Sequence, residues 1–169
     1  MRLGRAQELG QEMLAALAPA CERIMIAGSV RRQCEQVNDL DIVLMPKGRA
    51  ALHAALWESP AKLDRFAPAE NWIANIDGFQ VDLWLAHPRE GDLFSPIKSN
   101  WGAILLCRTG SVQHNTQFCA LAMNKGLKFS PYKGLIDTKT AVVIASETEE
   151  EIYEALGLKW RPPEERQCL

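Results

Sequence analysis

Long apolar stretches are missing from this chain: no window of its 169 residues stays hydrophobic for the roughly 20 positions of a membrane span. Its opening, MRLGRAQELG, has no hydrophobic segment of the secretory kind, so no signal peptide is expected. Charge of one sign is also lacking. Nineteen Lys and Arg stand against 21 Asp and Glu, a net of −2, which is not the footprint of a generic nucleic-acid binder. The five cysteines (Cys21, Cys34, Cys107, Cys119 and Cys168) are an odd number with no C-x-x-C spacing. That pattern supports neither a zinc site nor a complete disulfide framework, and a reducing, cytoplasmic compartment is the expectation. His53, His87 and His114 are scattered and read as structural or surface groups rather than ligands. Repeats and low-complexity segments are absent. What remains is a chain long enough to bury a proper core, as one compact unit or two small ones.

Against this background, Gly28-Ser29-Val30-Arg31-Arg32 followed seven residues later by Asp39-Leu40-Asp41 stands out. A Gly-Ser turn presents backbone N–H groups and a hydroxyl to phosphate oxygens, and an arginine clamps a phosphate through two parallel hydrogen bonds. The segment DLDIVLM reads as a strand on which Asp39, Asp41, Val43 and Met45 share one side and Leu40, Ile42 and Leu44 the other. Two like charges in an apolar strand are costly unless a cation offsets them. A third acid, Asp82, lies in the middle of FQVDLWLA, whose period-two alternation predicts a half-buried strand. Three such carboxylates suit a pair of divalent cations about 4 Å apart, and the chemistry they support is nucleotidyl transfer. Asp39 and Asp41 are expected to bridge both ions. Asp82 is expected on one ion, close to the attacking hydroxyl, where it is the best candidate to accept the proton.

These residues, in this order, resemble the DNA polymerase β superfamily of nucleotidyltransferases, and two later segments narrow the resemblance to its family X DNA polymerases. Cys107-Arg108-Thr109-Gly110-Ser111, running through Asn115 into LAMNKGLKFSPYKGL, is similar to that family's Thr-Gly-Ser segment, helix and strand. SETEEEIYEALGLKWRPPEER is similar to its C-terminal signature. The likeness runs from about residue 20 to residue 167. It implies an α+β fold: a nucleotidyltransferase palm with a mixed or antiparallel sheet over residues 1–92, and a small C-terminal α/β subdomain over 93–169 that binds nucleotide and DNA. Lyase and helix-hairpin-helix domains are expected to be lacking.

The resemblance also implies site roles. Gly28, Ser29 and Arg32 would contact the triphosphate, and Asp39, Asp41 and Asp82 would hold two Mg²⁺ ions, with Mn²⁺ able to substitute. Thr109, Gly110 and Ser111 would lie at the nucleotide, and Asn115 against its base. Arg108, Lys125, Lys128, Tyr132 and Lys133 would meet the nucleic acid. Residues 98–139 carry six basic side chains and a single acid, Asp137, so a phosphate backbone could be tracked there. The implied partners are primer-template or gapped DNA and nucleoside triphosphates, with no membrane, and the implied state is a monomer. The implied activity is DNA-directed addition of deoxynucleotides in short-gap repair. Two alternatives remain open: a template-independent, RNA or small-molecule nucleotidyltransferase, and a non-catalytic DNA-binding remnant. Six positions depart from the family. Cys107 and Arg108 replace an aromatic pair that backs the sugar, Cys119 replaces an arginine that reaches the template, Gln80 replaces an arginine beside the catalytic acid, and Ser130-Pro131 replaces the Asn-Glu usual before the tyrosine.

For the elements, Leu3, Ala6, Leu9, Met13, Leu14 and Leu17 recur at helical spacing, and Pro19 ends that helix. IMIA predicts a strand, 49–57 a helix, and 71–76 with 79–86 a hairpin turning at Asp77-Gly78. A polar connection over 87–96 is expected between subdomains. Helices are expected over 99–107 and 111–125, strands over 127–132 and 141–145, and a last helix over 149–156 capped by Thr148 or Ser146. Trp57, Trp72, Trp84, Trp101 and Trp160 read as core or boundary residues. Only Trp84 alternates onto the face of Asp82, where it could wall the site.

Overall fold

The computed structural model describes residues 1–66, 71–90 and 97–166. It divides into two compact units, Met1–Ala86 and His87–Leu169. The sequence-predicted connection over 87–96 lies partly outside the described residues.

The first unit begins with α1 (Leu3–Leu17), which buries Ala6, Leu9, Gly10, Met13 and Leu17 along one stripe. A 3₁₀ turn containing Pro19 ends it, since proline cannot extend an α-helical ladder. The strands are β1 (Cys21–Ile26), β2 (Leu40–Pro46), β3 (Lys62–Phe66), β4 (Asn71–Ile76) and β5 (Phe79–Leu85). A one-turn helix, α2 (Gly28–Arg31), follows β1, and α3 (Arg49–Glu58) follows β2. The sheet order is β1-β2-β5-β4-β3. Pairing is antiparallel except between β2 and β5, two of the three inner strands, which run parallel. A parallel pair cannot be joined by a tight turn, so α3, β3 and β4 make up the crossover.

One face of this sheet carries Leu40, Ile42, Leu44, Trp72, Ala74, Ile76, Val81, Leu83 and Leu85, which join α1 and α3 residues in a single core cluster. At about 25 cal/mol per Å² of apolar surface, that cluster is what holds the unit together. The opposite face carries Asp41, Gln80, Asp82 and Trp84, flanked through the β4–β5 register by Asn71, Ile73 and Asn75. Asp77 and Gly78 both take positive φ (50° and 84°), the backbone of a type I′ hairpin, as the Asp-Gly pair predicts.

The second unit holds α4 (Trp101–Thr109), α5 (Val112–Asn124), α6 (Glu149–Ala155) and an antiparallel sheet of β6 (Leu127–Ser130), β7 (Gly134–Asp137) and β8 (Val143–Ala145). Its core joins Ala103 and Leu106 of α4, Phe118 and Ala122 of α5, and Ile152, Tyr153 and Leu156 at α6. Ser111 caps α5, its hydroxyl accepting from the His114 N–H at 3.0 Å. Thr148 caps α6 in the same way through Glu151 at 3.1 Å, and it does so rather than Ser146.

Several sequence expectations differ from the structure. The Gly-Ser turn is the first turn of a short helix. β3 and β7 were not expected, because KLDRF and GLID are too short and too mixed in polarity to carry a period of two. The strand expected over 127–132 ends at Ser130, since Pro131 has no N–H to continue the ladder. Trp57, expected in the core or at its boundary, lies at the end of α3 with 83% of its surface exposed.

Candidate active site

The geometry starts from the parallel pairing of β2 with β5, in which Asp41 is the direct partner of Asp82. Partners on adjacent strands lie about 4.8 Å apart between backbones and project to the same face. Two acids more than forty residues apart in sequence thus stand side by side at the middle of the sheet. Asp82 is only 7% exposed, so its charge is held where water contributes little. Each acid receives a neutral donor from β5. Gln80 Nε2 donates to Asp82 Oδ2 at 2.9 Å, and the Trp84 indole N–H donates to Asp41 Oδ1 at 2.8 Å.

Gly28 closes the third side. It has φ of +60°, a region costly for residues with a side chain, and a Cβ there would collide with the Asp41 carboxylate. The Ala27 N–H donates to the Asp41 carbonyl at 2.8 Å, tying the turn to β2. The first ladder bonds of α2 run from Arg31 N–H to Ala27 and from Arg32 N–H to Gly28, which leaves the N–H groups of Gly28, Ser29 and Val30 ahead of the ladder. Ser29 Oγ is buried and has no hydrogen-bond partner among the described residues. A buried hydroxyl without a partner costs about 1–3 kcal/mol, and a ligand oxygen at this turn would satisfy it. Arg31 and Arg32 are half-buried beside it.

Asp39 differs from the sequence expectation. β2 begins at Leu40, so Asp39 lies in a bend one residue ahead of the strand and the alternation that places Asp41 does not place it. It is half-exposed. Among the described residues no group of three His, Cys, Asp or Glu side chains is gathered closely enough to hold a metal ion. Asp41 and Asp82 are a facing pair, with Asp39 at the strand entrance. Two facing carboxylates would hold a divalent cation, and a glycine that admits no Cβ and an unsatisfied buried hydroxyl beside them suit a phosphate oxygen.

The second unit holds the remaining candidates. Thr109, fully buried, ends α4, and Gly110 follows with no room for a side chain: a Cβ would lie 2.5 Å from His114 Nδ1 and 2.6 Å from Asn115 Oδ1. The Asn115 amide is engaged inside the unit, donating to the Cys107 carbonyl at 2.7 Å. The Ser111 hydroxyl, besides capping α5, donates to the Arg166 carbonyl at 2.9 Å. His114 is fully buried, with Nε2 2.7 Å from the Tyr153 hydroxyl. Burial holds its pKa below the ordinary value, opposed by its contact with Asn115. Burial also pushes up the Cys107 thiol, while neighbouring Arg108 draws it back. Arg108 reaches the Tyr132 hydroxyl at 3.4 Å, and Lys125, Lys128 and Lys133 are exposed at the end of α5, on β6 and in the β6–β7 turn.

Two features escaped the sequence. One is the Trp84–Asp41 bond, for which only the shared strand face was a signal. The other is Arg166, fully buried in a two-pronged pair with Glu149 at 2.6 and 3.1 Å, with no hydrophobic pattern to mark it. Among the described residues no helix is long and apolar enough to cross a membrane.

A mixed sheet with facing acids on its central strands, followed by a small helical and antiparallel unit, defines an α+β fold of the DNA polymerase β kind. Residues 104–167 match the DNA polymerase beta thumb family. The chain is 28% identical over 141 residues to the DNA polymerase/3'-5' exonuclease PolX of Bacillus subtilis, covering 83% of this chain and 24% of that protein. It is 24% identical over 145 residues to the Repair DNA polymerase X of an African swine fever virus isolate from a South African tick, covering 86% of this chain and 82% of the viral protein. The chain is therefore similar to family X DNA polymerases over most of its length. It spans about a quarter of the length of the Bacillus relative and most of the viral one.

Proposed function

We propose that the chain extends a DNA primer with deoxynucleoside triphosphates, releasing pyrophosphate, and fills short gaps in repair. The observation that carries this reading is the register that sets Asp41 opposite Asp82 against the Gly28-Ser29 turn. Asp41 and Asp82 would hold the ions, joined by Asp39 from the strand entrance. Magnesium, or manganese in its place, would supply charge neutralisation at the phosphates and a lowered pKa at the attacking hydroxyl. Asp82, buried and steadied by Gln80, accepts the proton from the primer 3′-hydroxyl in this reading. Ser29 and the N–H groups ahead of α2 receive the triphosphate oxygens, with Arg32 as a further donor.

The names of the relatives support the same reading: one is called a DNA polymerase and exonuclease, the other a repair DNA polymerase. Thr109, Gly110 and Asn115 are proposed at the nucleotide, and the basic surface of Lys125, Lys128 and Lys133 with Arg108 and Tyr132 at the DNA backbone. The division at Ala86 and His87 supports a catalytic first unit and a nucleotide- and DNA-binding second unit. Primer extension across a one-nucleotide gap tests the proposal. The parent is expected to insert the templated nucleotide, and Asp82→Ala to lose at least about a thousandfold in rate, the scale of removing a group central to the transition state. Insertion indifferent to the templating base would point to template-independent transfer instead.

A further inference from the structure

Trp84 makes a contact that neither composition nor strand pattern assigns. Its indole N–H, a single donor with no accepting capacity, meets Asp41 Oδ1 at 2.8 Å. Both residues lie on adjacent inner strands, β2 and β5, so the contact is fixed by the sheet and not by a loop. On its Oδ2 side the same carboxylate abuts Gly28, at a point where a methyl group would not fit. Rotation of the carboxylate is therefore restrained from two sides. The donor is also neutral. A lysine or arginine in its place would orient Asp41 while cancelling the charge that a cation needs; an indole orients it and leaves the charge intact. Each carboxylate oxygen offers two lone-pair directions, so one indole proton does not exhaust Oδ1. Asp82 is served in the same manner by the neutral amide of Gln80.

We propose that Trp84 is a positioning residue that orients Asp41 for a divalent cation and keeps its indole N–H on that carboxylate in the loaded site. The proposal rests on the reading above that Asp41 is a cation ligand. It makes the indole proton of Trp84 a direct reporter of occupancy, independent of turnover.

The test uses the full chain labelled with ¹⁵N at the indoles, titrated with Mg²⁺ alone. The chain has five tryptophans, and the signal lost in Trp84→Phe identifies the relevant one. That signal is expected to move saturably in the parent and not in Asp41→Asn. Trp84→Phe is expected to raise the apparent Mg²⁺ dissociation constant about tenfold, on the scale of one hydrogen bond to a charged group. The Mg²⁺ requirement of primer extension should rise with it, while the rate at saturating Mg²⁺ falls less. Trp84→His, which keeps a neutral ring N–H, should recover part of the loss. A Trp84 signal that stays still at Mg²⁺ concentrations saturating extension overturns the proposal and leaves the polymerase reading standing. So do Mg²⁺ constants within twofold of the parent in both variants. A signal that moves as expected in a protein that extends no primer supports the positioning role and overturns the polymerase reading.

Discussion

Ser29 and Gly28 give opposite forecasts although they are neighbours. Ser29 Oγ is buried with no partner among the described residues, so Ser29→Ala removes an unsatisfied donor from the folded state. Thermal or denaturant unfolding is expected to find the variant as stable as the parent or up to about 1 kcal/mol more so. Its KM for nucleotide is expected to rise about tenfold, the worth of one hydrogen bond to a charged oxygen. Gly28→Ala meets both a positive φ and the Asp41 carboxylate, so the added methyl must displace either the turn or the acid. Steady-state kinetics are expected to show a fall in kcat of at least about a hundredfold, since a misplacement of about 1 Å has that effect. A serine that costs stability and a glycine that tolerates no substitute are both features of a turn shaped for a ligand.

Among the elements, α6 is held by a buried ion pair. Glu149 in its first turn and Arg166 beyond its end are both buried, and Arg166 also lies over the rings of Tyr153 and Trp160 at about 5.5 Å. Removing one partner leaves an uncompensated buried charge, so Arg166→Ala is expected to cost about 3–5 kcal/mol in chemical denaturation. Glu149→Leu combined with Arg166→Met should cost much less, because no charge is then stranded. The strands show how far sequence reaches. FQVDLWLA alternates cleanly and DLDIVLM ends in an apolar run, so both central strands and the face of Asp82 and Asp41 were legible, as was the Asp77-Gly78 turn. The partnership of Asp41 with Asp82 is a matter of register, which pairing across the sheet decides and a single segment cannot. Asp39 lies one residue ahead of β2, so the alternation that places Asp41 does not by itself place it. The buried arginine at 166 carried no periodic signal at all, since its environment is assembled from residues up to 55 positions away.

For the molecule as a whole, two conditions should modulate behaviour. His114 is buried among Tyr153, Asn115 and the charges of Arg166, Arg161 and Glu149, and its pKa lies below the ordinary 6.5. The unfolded chain therefore binds a proton that the folded one resists, and stability should decline as pH falls below about 6.5. The decline should level off once the folded histidine itself protonates. Melting curves between pH 7.5 and 5 should show this slope, and His114→Gln should flatten it. The second condition is salt. With Lys125, Lys128 and Lys133 exposed, log affinity for gapped DNA should fall linearly with log salt concentration. Replacing all three with alanine should reduce the slope by up to about 3, as binding titrations at several salt concentrations would measure.

The parallel run of β2 beside β5 has a consequence for how this chain can change length. Side chains on a strand alternate, so what matters for Asp82 is parity: its count from the hairpin must stay even or odd as it now is. Lengthening the crossover between Pro46 and Lys62 leaves that count alone. Deleting one residue between Phe79 and Asp82 would turn the carboxylate toward the Leu40 and Leu83 side, into the hydrocarbon interior. The crossover can therefore accept insertions of either parity, while the few residues leading from Gly78 to Asp82 permit no odd change.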